Sequence, residues 1–191
     1  MDKILKNATV VTSGYVKKMD IGIQSGRIAA LAEGLDEPGE VIDCTGKLVL
    51  AGGVDVHAHL NEPGYTWRED YLHGTRAAAA GGTTCFVDMP LQNTPSLISV
   101  QIFRDKEKAV AGKAYVDYAF WGGLVEDNLD EMTGMKECGA KALKAFVSPS
   151  GPDYPSASIG LIYQAMQIAA KEDILLGFHC EDYSMITRYQ E

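Results

Sequence analysis

Between residues 54 and 179, short apolar runs alternate with helix-patterned segments at a period of about 30 residues, and nothing else in the sequence restricts the fold so severely. Strands are predicted over 54–59, 83–88, 114–121, 141–147 and 174–179. Helices are predicted over 67–80, 96–111, 128–138 and 158–171, with a fifth beginning after Glu181. Glycines stand where the first three helices should stop, at Gly81-Gly82, Gly112 and Gly139. Strand–helix alternation of this kind builds a parallel sheet through right-handed crossovers, so the chain is of the α/β class. A doubly wound sheet and a (β/α)8 barrel both satisfy the rhythm. No GxGxxG or GxxxxGK[ST] follows any strand, which counts against a nucleotide-binding sheet.

The first 51 residues follow a different pattern. Short β-rich runs over 4–12, 19–23, 28–31, 40–44 and 48–50 are punctuated by Ser13-Gly14, Ser25-Gly26 and Thr45-Gly46. They read as a small antiparallel sheet or part of a β-sandwich. Two domains are therefore expected, 1–51 and 52–191.

Charge excludes one class of partner. Asp and Glu number 26 against 17 Lys and Arg, a net charge of −9, which leaves nothing to neutralise phosphates, so nucleic acid is not expected. No run of 18 apolar residues provides a membrane span, and Met1-Asp2-Lys3-Ile4 opens no signal peptide. Cys44, Cys85, Cys138 and Cys180 are 41, 53 and 42 residues apart, unlike a CxxC knuckle or a dense disulfide framework. They are expected as reduced core thiols in a cytoplasmic protein.

The histidines carry the first chemical signal. His57 and His59 stand in Asp55-Val56-His57-Ala58-His59, at the C-terminal end of the first parallel strand. Residues i and i+2 of a strand share a side, so the two imidazoles can grip one divalent ion; alternatively they are ordinary strand histidines. His179 ends the fifth strand at the same rim, where parallel barrels collect functional residues. His73 falls within a helix as an ordinary surface or packing residue. Lys144 lies near the end of the fourth strand, on the face of Ala142 and Phe146 and opposite Lys141. A lysine turned into a barrel is costly unless paired or altered. A salt-bridged strand lysine is the default reading, and carboxylation by CO2 to an anionic carbamate is the other.

Gly53-Val54-Asp55-Val56-His57-Ala58-His59-Leu60-Asn61-Glu62-Pro63-Gly64 resembles the metal-binding signature of the cyclic amidohydrolases, the group of dihydroorotases, hydantoinases and allantoinases. The resemblance continues through residues 74–84, Val87-Asp88-Met89-Pro90-Leu91, residues 120–125, Leu143-Lys144-Ala145-Phe146 and Phe178-His179-Cys180-Glu181. It thus covers nearly the whole chain. It implies the N-terminal half of a metal-dependent (β/α)8 TIM barrel preceded by a small β-sandwich segment. It also implies two divalent ions, usually zinc. His57 and His59 would hold one, His179 the other, and a carbamate on Lys144 would bridge them. A metal-bridged hydroxide would then open the cyclic amide to a ureido acid.

Departures within the group narrow the substrate. Dihydroorotases resemble HxHLREPG, whose arginine binds the substrate carboxylate; here Asn61 stands there, and Leu91 replaces the asparagine that follows Met-Pro. Hydantoinases usually lack Glu-Pro-Gly and carry a tyrosine where this chain has Pro149. The pattern looks most like the bacterial allantoinases, which implies hydrolysis of allantoin to allantoate in purine catabolism, with dihydroorotase or hydantoinase activity as alternatives. Asn61, Asp88 and Asn93 are weaker candidates for pocket-facing residues; Asn93 is equally a turn residue. A homo-oligomer, by resemblance a tetramer, is expected, as is a small cyclic ureide as the ligand.

The resemblance also calls for a histidine from a sixth strand and an aspartate from an eighth, the latter a ligand and proton shuttle. A barrel needs about 250 residues, and 140 follow residue 51 here. The sequence therefore reads as truncated after about the fifth strand, with the catalytic aspartate expected beyond Glu191 and turnover absent from this chain alone. A non-catalytic amidohydrolase-like scaffold is the alternative of another class.

Overall fold

A computed structural model describes residues 1–151 and 154–190; Pro152, Asp153 and Glu191, within the expected second domain, lie outside the described residues. The chain forms two compact units, Met1–Gly52 and Gly53–Glu191.

The first unit is one mixed sheet of β1 (Lys3–Val11), β2 (Val16–Gln24), β3 (Arg27–Ala32), β4 (Glu40–Asp43) and β5 (Leu48–Val49). β1 to β3 pair antiparallel, as their tight turns dictate. Ser25 and Gly26 both take positive φ (51° and 72°), which matches the twist of a hairpin. The fully antiparallel expectation needs correction, because β4 and β5 run parallel to β1. Loops over 33–39 and 44–47 carry the chain back before each pairs. Ala8, Val10, Ile21 and Cys44 form the small core.

The second unit repeats strand and helix: β6 (Gly53–Ala58), α1 (Tyr71–Ala80), β7 (Thr83–Asp88), α2 (Val100–Val110), β8 (Asp117–Phe120), β9 (Gly122–Gly123), α3 (Glu131–Glu137), β10 (Leu143–Phe146), α4 (Ile159–Glu172), β11 (Leu176–His179) and α5 (Tyr183–Tyr189). Every pairing is parallel, in the order β6-β7-β8 and β9-β10-β11. β8 and β9 are one run of chain interrupted at Trp121, which joins the two ladders into five consecutive parallel positions. Two apolar clusters lie between strands and helices. One is built on Tyr71, Phe86, Leu97, Phe103 and Phe120; the other on Leu124, Met132, Met135, Leu143 and Ala145.

Helices begin later than the apolar pattern suggests, because side-chain caps set their starts. Asp70 accepts from His73 N and starts α1 at Tyr71 rather than 67. Ser99 accepts from Ile102 N and starts α2 at Val100 rather than 96. Asn128 spends its side chain on Val125 N and on the carbonyls of Ile98 and Gly123, so α3 starts at Glu131. At the end of α1 it is Gly82, with φ 85°, that supplies the left-handed turn.

Candidate metal centre

Alternation along the strands decides which side chains leave the helix layer. Leu143 and Ala145 pack outward into a core cluster, so Lys144 and Phe146 point to the opposite face of β10. Register pairs Lys144 with Gly177 and Phe146 with His179, which puts His179 on that same face. Lys144 Nζ lies 4.8 Å from the Phe146 ring centre, and the Phe146 and His179 rings are 5.2 Å apart. Lys144 is 5% exposed, and burial pushes its amine below the ordinary lysine value, against the raising influence of Glu181 and Cys180.

His57 and His59 meet at the end of β6. The register of β6 on β7 shifts between Asp55 and Ala58, a bulge-like irregularity of the kind that re-aims side chains. Asp55 Oδ1 accepts from His57 N at 2.9 Å within that shift. The two imidazole rings are 5.4 Å apart and inclined at 52°. Burial, and then the neighbouring His57, hold His59 below the ordinary histidine value, so at neutral pH it keeps a free lone pair. Its buried Nδ1 has no well-formed hydrogen bond, although the Leu91 backbone lies close enough to favour the proton slightly.

The second pair is oriented by a residue that the sequence reading passed over. Glu181 Oε1 contacts His179 Nδ1 closely. A carboxylate cannot donate, so Nδ1 carries the proton and Nε2 is left as the free nitrogen, the arrangement usual for a metal-ligating histidine. Only the carboxylate two residues past a strand-end histidine could have signalled this.

These donors suit a divalent ion in kind: three imidazoles, one of them with an orphaned buried nitrogen, and a buried amine of lowered basicity. They stand in two groups: His57 with His59, and Lys144 and His179 each against the Phe146 ring. Among the described residues no three His, Cys, Asp or Glu side chains converge to hold an ion by themselves.

Around these pairs the loops are tied down by polar contacts. Asn61 Nδ2 donates to Gln92 O at 3.0 Å, and Asn93 Nδ2 to Leu91 O at 3.1 Å, so both amides fasten loop backbone. Asn93 Oδ1 is buried without a partner. Gly64, at φ 98°, lies so close to Thr94 that an added Cβ would come within 2.7 Å of it. Glu62, 5% exposed, accepts from Tyr71 N at 2.9 Å and pairs with Lys113, anchoring the start of α1.

Asp88 does not face the pocket. It points into the helix layer, fully buried, where its carboxylate accepts from Leu60 N (3.0 Å) and Tyr71 OH (2.8 Å). Lys106 Nζ lies 2.7 Å from Asp88 Oδ2, close as an ion pair though off the line of a good hydrogen bond. Lys106 is itself 1% exposed, and desolvation lowers its amine's affinity for protons despite Asp88. The Leu60 contact lets Asp88 hold the backbone directly after His59. Lys106 shares the buried stripe of Phe103 and Val110, a spacing that could have revealed it.

Two smaller expectations also resolve. His73 is exposed and paired with Asp70, an ordinary surface residue. All four cysteines are free, yet only Cys44 is buried; Cys180, one residue past β11, is exposed because it lies at the open strand ends.

Comparison with known proteins gives concordant results. The model of the amidohydrolase family matches residues 48–190. An allantoinase from Deinococcus radiodurans is 38% identical over 193 aligned residues, covering 100% of this chain and 43% of that protein. An allantoinase from Salmonella choleraesuis is 38% identical over 186 residues, 95% of this chain and 41% of the relative. Among solved structures, an L-hydantoinase (dihydropyrimidinase) from Arthrobacter aurescens superposes with a TM-score of 0.94 at 30% identity, over 99% of this chain and 43% of its own. The chain spans less than half the length of these relatives.

Proposed function

The chain belongs to the amidohydrolase family, and from that premise we propose that it contributes part of the metal centre of a cyclic amidohydrolase acting on allantoin. The observation that carries this reading is the placement of His57 and His59 at the end of β6, together with Lys144 and His179 on one face at the ends of β10 and β11, both against the Phe146 ring. Parallel barrels build active sites at that rim. The 38% identity to two proteins named allantoinase favours allantoin over other cyclic amides. Asn61 stands where an arginine would supply a guanidinium for a substrate carboxylate.

His57 and His59 would hold one divalent ion and His179 a second, with Lys144, as a carbamate, between them. Zinc is the proposed metal, and when bound it would supply a Lewis acid and lower the pKa of water. Glu181 keeps the proton of His179 on Nδ1 and presents Nε2. Burial keeps His59 unprotonated near neutral pH. Burial also lowers the basicity of Lys144, which favours the neutral amine that can add to CO2. Asn61 and the Gly64–Thr94 contact hold the loops that border the pocket.

We further propose that turnover requires groups outside residues 1–191, an acid–base carboxylate among them. The test is hydrolysis of allantoin, hydantoin and dihydroorotate by this chain and by a polypeptide extended to the length of the relatives. The extended protein should hydrolyse allantoin fastest in the presence of zinc, and the 191-residue chain should hydrolyse none. Metal-dependent turnover by the short chain would overturn the partial-site reading, and preference for dihydroorotate would overturn the substrate.

A further inference from the structure

One half-buried side chain on the inner face of the parallel strands touches the strands beneath both halves of the candidate centre. Trp121 lies between Phe120 and Gly122, whose outward sides are packed against the helix layer, so its indole takes the inner face. Its Nε1 donates to Val56 O at 2.9 Å, in β6, one residue before His57. The far edge of its ring lies over Gly177 of β11, two residues before His179. A Cβ added at Gly177 would sit 2.8 Å from Trp121 Cζ3 and 2.9 Å from Cη2. Gly177 is also the register partner of Lys144. The Trp121 backbone N–H donates to Asp88 O at 2.9 Å, fixing the indole's origin where β8 gives way to β9.

We propose that Trp121 is a positioning residue: its indole braces β6 against β11 and sets the separation between the His57–His59 pair and the Lys144–His179 pair. The inference rests on reading those four residues as one site. A rigid bicyclic ring suits this task, because it spans the interior with two torsions and carries one donor to lock its tip. Gly177 is the complementary half of the device. Any side chain there would push the ring away from β11 and shift the strand that presents His179.

The experiment compares the wild-type chain with Trp121→Phe, Gly177→Ala and the double variant. Amide hydrogen exchange in metal-free protein is the first readout, and Co2+ titration followed by visible absorption is the second. Trp121→Phe should speed exchange about tenfold at Val56–Ala58 and at Gly177–His179 while leaving β1–β3 unchanged. It should also weaken Co2+ binding about tenfold, the scale seen when a residue that orients metal ligands is removed. Gly177→Ala should act likewise, and the double variant should be perturbed less than the two singles together, because the smaller ring removes the clash. Unchanged exchange at both strand ends in Trp121→Phe would overturn the proposal. So would uniform acceleration across the second unit, or strict additivity of the two substitutions. A wild-type chain that takes up no Co2+ would instead overturn the metal reading, with exchange still deciding the role of Trp121.

Discussion

Replacing Lys106 by methionine should destabilise the second unit far more than a helix lysine ordinarily would. Lys106 and Asp88 are 1% and 0% exposed and lie 2.7 Å apart. At that distance, with an effective dielectric constant of about 20, their attraction is about 6 kcal/mol. Removing two charges from water opposes most of it, so the intact pair contributes little net stability. Removing only one partner is different, because the other keeps its desolvation penalty and loses its compensation. Lys106→Met leaves the Asp88 carboxylate with Leu60 N and Tyr71 OH alone. The expected cost is about 3–5 kcal/mol. At 2–4 °C per kcal/mol for a chain of this size, melting should fall by about 6–20 °C. Methionine matches the lysine stem in length and helix propensity, so packing and the helix itself contribute little to the change. Urea and thermal unfolding by circular dichroism give the measurement. The double variant Asp88→Asn/Lys106→Met should be destabilised by about 2 kcal/mol less than the sum of the singles. A cost for Lys106→Met under about 1 kcal/mol, or additivity in the cycle, would refute the buried-pair account.

Two further outcomes follow from local geometry. Gly64→Ala should cost about 1–3 kcal/mol, because φ is 98° there and the new Cβ would meet Thr94 at 2.7 Å; unchanged melting would show that the two loops separate freely. The N–H of Asn7, followed by Leu35 N–H and the Lys6 ammonium, holds the Asp20 carboxyl below its ordinary 3.8, against the opposing effect of burial. The unfolded chain then binds that proton more readily than the folded one. This contribution is therefore complete above about pH 5 and is lost as pH falls through the depressed folded value. Acid titration of stability should flatten in Asp20→Asn, and an unaltered acid limb would contradict the assignment.

Much of this molecule could be read from the chain because repetition and chemistry coincide. The strand–helix period located all five parallel positions, and Asp55-Val56-His57-Ala58-His59 marked the rim. Alternation placed Lys144 on the face of Phe146, where it lies. What escaped reading depends on contacts between distant segments. Asp88 sits in an apparent pocket motif but turns outward, since its partners Tyr71 and Lys106 come from two helices. Trp121 falls within the family-like stretch 120–125, but its contacts with Val56 O and Gly177 join segments too distant in sequence for that pattern to reveal. Helix starts shifted by three or four residues where Asp70, Ser99 and Asn128 used their side chains to cap or to tie loops. The mixed pairing in the first unit was hidden because β4 and β5 are short and return through loops whose direction no local pattern encodes.

His57, His59, Lys144 and His179 are proposed to belong to one metal centre. Calorimetric zinc titration of the chain, run in bicarbonate buffer beside His57→Ala, Lys144→Met and His179→Ala, tests it most directly. The unaltered chain should bind zinc, and each variant should lose at least about tenfold in affinity. Absence of binding by the unaltered chain, or affinities unchanged by all three substitutions, would contradict it.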